Sequence, residues 1–279
     1  MNSNFINSSI ERTQFEPTNP TEAPTAKNVL TLAVEMGDLL LRNGGEIYRV
    51  EDTILHVLEA YGMENYDVYV LSNGIFASAN EDRNDSCSIV RHVPLGSVNL
   101  DKIAAINQLS REIAQNKIPV KEAWDRFLEI KEMKMHPQML MNLCGGIGSA
   151  GFCYLFGGSV LDSLIAFFIG IPLAFFLAYM SSKKTSKFIM HILGSAYVTL
   201  LSLLVMYLSA PVHYDKIIIG CIMQMVPGIA LSTSIRDLFN GDYLSGAIHL
   251  LDAVLTAMCI AVGVGFMIAI YYFATGVMP

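Results

Sequence analysis

With 279 residues, 53% of them hydrophobic and only 15% charged, the chain is too apolar for an ordinary soluble domain, so membrane spans are the first expectation. A formal net charge of -7 offers no basic patch and argues against nucleic-acid binding. The cysteines Cys87, Cys144, Cys153, Cys221 and Cys259 show no CxxC spacing for metal or redox work, and read as small core residues under reducing conditions.

Residues 1–26 are rich in Asn, Ser, Thr, Glu and Pro and carry no apolar signal-peptide core, which predicts a disordered tail. Residues 27–134 hold most of the charge and are expected to form a cytosolic α/β domain. "KNVLTLAVEMGDLLLRNGG" has apolar residues at helical spacing and stops at Gly44-Gly45, a C-terminal cap signal. "EIYRVEDTILHVLEAYG" predicts a second helix with Ile47, Val50, Ile54, Leu58 and Tyr61 on one face and Glu46, Arg49, Thr53 and His56 elsewhere. The stretches "YDVYVLS", "GIFASA" and "CSIVRHV" read as strands separated by Asn-Gly and by the turn "NEDRND". Two amphipathic helices, "LDKIAAINQLSREIAQ" and "VKEAWDRFLEIKEM", follow, giving helices packed on one face of a small sheet.

No catalytic residue emerges from this half. Cys87 and His92 sit five residues apart on one predicted strand, and an odd separation points them to opposite faces. His56 and His136 have no second ligand at metal spacing, so neither a metal nor a cofactor is implied. Arg49 with Glu51, or Glu46 with Arg49, could orient a small anionic or zwitterionic ligand, although such pairs on a polar helix face are usually structural.

Residues 135–279 predict an all-α multi-pass membrane domain of five transmembrane helices, at about 138–157, 160–181, 188–210, 216–235 and 245–275. Lys131, Lys134, Lys183, Lys184, Lys187 and Arg236 flank one side and Lys216 the other, which puts the N-terminus in the cytoplasm and the C-terminus outside. Small and polar residues recur near every fourth position, as in Gly145, Ser149, Cys153 and Gly157, a pattern of close helix packing within lipid.

Three features ask for more than packing. Asp252 within the last span costs about 3 kcal/mol unless paired, protonated or wet. Gln224 is an amide at membrane depth, and Pro227-Gly228 interrupts its helix, freeing backbone groups that must find a partner or line a cavity. Secondary transporters build sites at such breaks. Gln224, Pro227 and Gly228 are thus candidate substrate-path residues, with Ser232, Thr233 and Asp237 as the polar approach and Asp252 as a proton-coupling candidate. The substrate class that fits is a small amino acid or organic acid. Two other classes remain open: a membrane-anchored hydrolase or ligand sensor, and a structural subunit that only scaffolds a partner.

"NGGEIYRVEDTI" at 43–54 and "VPGIALSTSIRDLFNGDYLSG" at 226–246 resemble the threonine/serine exporter family, from about residue 28 to the end of the chain. The resemblance implies a non-enzymatic exporter of L-threonine and L-serine, with Gly45, Arg49 and Glu51 as motif positions of the cytosolic domain and the Pro-Gly segment in the transport path. Long members continue into a second membrane module. Ending at Pro279, this chain looks like the larger subunit of the split, two-component form, whose partner is a small membrane protein; a homo-oligomer is the alternative. Some split systems are associated with dicarboxylates such as succinate.

Overall fold

The computed structural model describes residues 25–80, 86–94, 96, 98–116, 118–134, 136–183, 185–208 and 212–277. Most of the expected disordered tail, and residues 81–85 of the expected polar turn, lie outside them. Two compact units divide the chain: Met1–Lys134 with Ile235–Ile248, and Met135–Ser234 with His249–Pro279.

The first unit begins with α1 (Ala26–Arg42) and α2 (Ile47–Ala60). Thr25 caps α1 by accepting from the Asn28 amide at 3.4 Å. Its other end closes as the Gly-Gly signal predicts: Gly44 takes φ +86°, with its N–H bonded to the Leu41 carbonyl at 3.1 Å and that of Gly45 to Leu40 at 2.9 Å. This double closure is a Schellman motif, and the left-handed residue in it favours glycine. Although its sequence is amphipathic, α1 is buried nearly all round and packs on α2, on the sheet and on two later helices.

The strands β1 (Asn65–Leu71), β2 (Gly74–Asn80) and β3 (Ser86–His92) form an antiparallel meander in the order β1-β2-β3. The α/β expectation therefore narrows to an α+β arrangement. Ile75, Ala77 and Ala79 of β2 are buried beneath the helices, while Tyr69, Phe76 and Val90 are exposed. Period-two alternation produces this split, since successive side chains leave opposite faces of a strand. Helices α3 (Leu100–Asn116) and α4 (Val120–Glu132) complete the layer, with Ile106, Ile113 and Phe127 fully buried.

The second unit contains α5 (Gln138–Leu155), α6 (Val160–Ser182), α7 (Lys187–Leu208) and α8 (Tyr214–Ile222). Two further helices, α9 (Gly228–Phe239) and α10 (Tyr243–Thr275), each contribute to both units. Among the described residues three helices, α6, α7 and α10, are long and apolar enough to cross a membrane, where five were expected; α5, the expected first span, is not one of them. The segment expected as one span at 216–235 is instead two short helices, α8 of 9 residues and α9 of 12, each below the ~20 residues needed to cross alone.

Small residues let the helices of this unit approach closely. A Cβ on Gly220 of α8 would come within 2.6 Å of Cys153 Cβ and of the Ser149 carbonyl on α5, and one on Gly263 of α10 within 2.3 Å of the Ile192 carbonyl on α7. Gly157 of the expected stripe, and Asp162, serve otherwise. Gly157 (φ +88°) closes α5, its N–H bonded to the Tyr154 carbonyl at 3.0 Å. Asp162, fully buried, forms a capping box with Ser159 and also accepts from the His213 amide at 3.0 Å. His213 Nδ1 lies 2.9 Å from its other oxygen, so the buried carboxylate fastens the start of α6 to the start of α8.

Candidate functional site

The helix ladder of α8 ends at Ile222, whose carbonyl accepts from both Met225 (2.8 Å) and Val226 (3.2 Å). Pro227 does not interrupt a continuous helix. It stands directly before α9 and its carbonyl accepts the first bond of that helix, from Leu231 at 3.0 Å. A proline is well placed there, because the missing N–H would have had no helical partner anyway. Gly228 is the first residue of α9, outside the left-handed region and with open space where a Cβ would point. Nothing in its conformation requires glycine.

Within the break, Gln224 and Met225 reach different neighbours. Gln224 Nε2 donates to Ser149 Oγ of α5 at 2.7 Å and to the Gly170 carbonyl of α6 at 3.2 Å. Its amide fits there because two glycines leave room: a Cβ on Gly145 would lie 2.7 Å from Oε1, and one on Gly170 3.0 Å from Nε2. Met225 is buried, its sulfur 2.8 Å from the Cβ position of Gly194 on α7. The break is therefore anchored to three helices through two consecutive side chains. Among the described residues Gln224 Oε1 accepts no hydrogen bond, which leaves an amide acceptor beside non-helical backbone.

The other sequence candidates are distributed differently. Ser232 lies on α9 with its hydroxyl donating to the Ile229 carbonyl at 3.0 Å, and neighbouring Ser234 donates to Leu231 at 2.8 Å. No hydrogen bond joins Ser232 or Thr233 to Gln224 among the described residues. Asp237 is fully buried in the first unit, where its carbonyl accepts the Asp242 amide at 2.9 Å and Gly241 (φ +92°) closes α9. Asp252 on α10 forms an ion pair with Lys187 at the start of α7. That partner answers how a carboxylate is accommodated in an apolar helix; sixty-five positions separate the two, so no local pattern announces the pair. His191, one turn along α7 from Lys187, is half-buried with no hydrogen bond at Nδ1 among the described residues.

Gly45, Arg49 and Glu51 occupy the junction of α1 and α2 in the first unit. A Cβ on Gly45 would stand 2.9 Å from the Leu40 carbonyl, so glycine is needed for the close approach of the chain. Arg49 Nε pairs with Glu46 at 3.3 Å, and Glu46 also holds Arg236 of α9. Glu51 makes no pair with Arg49. Burial, and then the nearby charge of Asp242, push the Glu51 carboxyl above its usual range. Asp242 is raised in turn by burial and by Asp237. The motif is thus one end of an acidic string running Glu51, Asp242, Asp237.

Comparison with known proteins finds relatives along most of the chain. The threonine/serine exporter family model matches residues 31–271. A protein of Escherichia coli strain K12 named "Probable succinate transporter subunit YjjP" is 22% identical over 244 residues, covering 87% of this chain and 94% of that protein. Its namesake in Klebsiella aerogenes is 22% identical over 237 residues, covering 85% and 91%. The threonine/serine exporter of Corynebacterium glutamicum is 22% identical over 256 residues, covering 89% of this chain and 52% of that protein. No solved structure is significantly similar to the chain. With both motif stretches inside the matched region, this chain belongs to the threonine/serine exporter family.

Proposed function

We propose that the chain is one subunit of a secondary exporter for a small hydrophilic carboxylate, L-threonine or L-serine first, and that it works as a multi-pass protein of the cell membrane. The observation that carries this is the non-helical stretch 223–227, with the Gln224 amide set between Ser149 and Gly170. Non-helical backbone is costly in lipid unless it is buried in protein or lines a polar path, and amide and N–H groups along such a path can meet a carboxylate. Five membrane passages, with α8 and α9 together forming the fourth, would put the N-terminal unit in the cytoplasm and the C-terminus outside. Ser232, Thr233 and Asp237, successively further along α9, would then mark the cytoplasmic approach.

Proton antiport is the proposed coupling. Protonating Asp252 removes its charge, releases Lys187 and alters the contact between α7 and α10, the kind of two-state element that alternating access requires. Export of a dicarboxylate such as succinate is the second reading, favoured by the near full-length alignment with the Escherichia coli and Klebsiella aerogenes subunits. That alignment also favours a two-component assembly with a small membrane partner over a homo-oligomer.

The test is efflux from proteoliposomes containing the chain, with and without a co-expressed small membrane protein, using labelled threonine, serine and succinate. Flux of one of them that requires Gln224 is expected. Absence of flux for all three with the partner present, or full flux in Gln224→Leu, would count against the proposal.

A further inference from the structure

The first unit contains a cleft of about 410 Å³ between α2 and α3, remote in sequence from the helix break. That volume suits a small metabolite. On α2 the wall is built from Arg49, Asp52, Thr53 and His56, which fall on one side of the helix; on α3 Asn107 and Arg111, one turn apart, face them. Thr53 is a polar residue buried to 5% exposure on a helix whose other buried positions are aliphatic, and it sits at this cleft.

The charges of the cleft are unequally compensated. Asp52 is the one carboxylate among the residues lining the cleft, and His56 Nδ1 lies 2.8 Å from its backbone carbonyl and 3.2 Å from its carboxylate. Arg49 shares Glu46 with Arg236. The Arg111 Nε donates to the carbonyl of Asn107 at 3.2 Å, and no carboxylate pairs with this guanidinium among the described residues. Two arginines and one carboxylate thus line one small cavity, which leaves it a surplus of guanidinium. Forked guanidinium donors match a carboxylate in geometry and charge, and the Asn107 amide beside them supplies neutral hydrogen bonding.

We propose that the α2–α3 cleft is a binding site for a small carboxylate-bearing metabolite, held by Arg111 and Arg49 and separate from the transport path. An amino acid and a dicarboxylate share this chemistry. Occupancy here would let the N-terminal unit sense the level of such a compound independently of its passage through the helical unit.

The test is calorimetric titration of the full chain in nanodiscs with L-threonine and, separately, succinate. At least one should bind. Arg111→Gln, an exposed change that leaves the core untouched, should weaken binding about ten-fold or more, as expected for loss of a charge-assisted hydrogen-bond pair. Ala114→Leu, which fills the cleft without changing charge, should weaken it as well. In Gln224→Leu the binding should persist, whether or not that variant transports. No binding of either compound, binding indifferent to both cleft substitutions, or binding lost in Gln224→Leu alone would each overturn the proposal.

Discussion

Gln224 on the broken segment donates to Ser149 on α5 at 2.7 Å, joining two residues 75 positions apart. Ser149 is fully buried, so this bond is sheltered from water and substituting one partner strands the other. Ser149→Ala should lower thermal stability by about 1–2 kcal/mol, the range for a lost buried hydrogen bond, and reduce flux. Gln224→Leu should abolish flux. A double-mutant cycle on unfolding would show coupling between the sites, and additive effects would dissociate the pair.

Glycines around the break separate packing from flexibility. A Cβ on Gly170 would meet Ser149 Oγ at 2.5 Å and Gln224 Nε2 at 3.0 Å, whereas one on Gly228 meets nothing within 4 Å. Gly170→Ala should displace the Gln224 amide and cut flux by about ten-fold, an overpacking cost of roughly 1–3 kcal/mol. Gly228→Ala should be near neutral in both flux and stability. Efflux rates and melting temperatures of the two variants check this, and a severe Gly228→Ala defect would point to a hinge at that residue.

Asp252 and Lys187 offer a test of coupling. Asp252→Asn leaves the lysine without its carboxylate, so some loss of stability is expected, but the informative reading is the pH profile of efflux. The wild-type profile should respond to an imposed pH gradient and that of Asp252→Asn should not. Unchanged pH dependence would exclude Asp252 as the coupling group. Asp252→Asn with Lys187→Gln should recover stability relative to either single change, because no lone charge remains.

The acidic string Glu51, Asp242, Asp237 gives the N-terminal unit a pH signature. Glu51 and Asp242 have folded-state carboxyls raised above their ordinary values. The folded state therefore holds protons that the unfolded chain has released, and stability falls as pH rises from the usual carboxylate range of about 4 through the raised one. Asp242→Asn should increase thermal stability at pH 7, by about 1 kcal/mol or less given solvent screening. The gain should vanish near pH 4, and a gain independent of pH would point to a cause other than charge.

At the junction of α1 and α2, Gly44→Ala would place a Cβ at φ +86° and 2.9 Å from Val98. Left-handed backbone costs a non-glycine residue about 1–2 kcal/mol before any clash. A comparable drop in unfolding free energy is expected, while Gly62→Ala, also at positive φ but with open space around it, should lose only the backbone part.

The sequence alone determined what local rules govern. The Gly44-Gly45 stop, the alternation of the three strands and the apolar faces of α2 through α4 follow from the chain's own periodicity, and the structure carries each of them. The mostly uncharged second half announced a membrane protein, and the two motif stretches announced its family. Sequence also flagged Gln224, Pro227 and Asp252 as costly in lipid. What offsets their cost was decided by tertiary structure: Ser149 and Gly170 for the amide, Lys187 for the carboxylate, and a helix start rather than a helix kink for the proline. Arg111 joined Arg49 at one cleft in the same way. These partners lie tens of residues from the groups they serve, and hydrogen bonds and ion pairs across packed helices leave no period in the chain by which to find them.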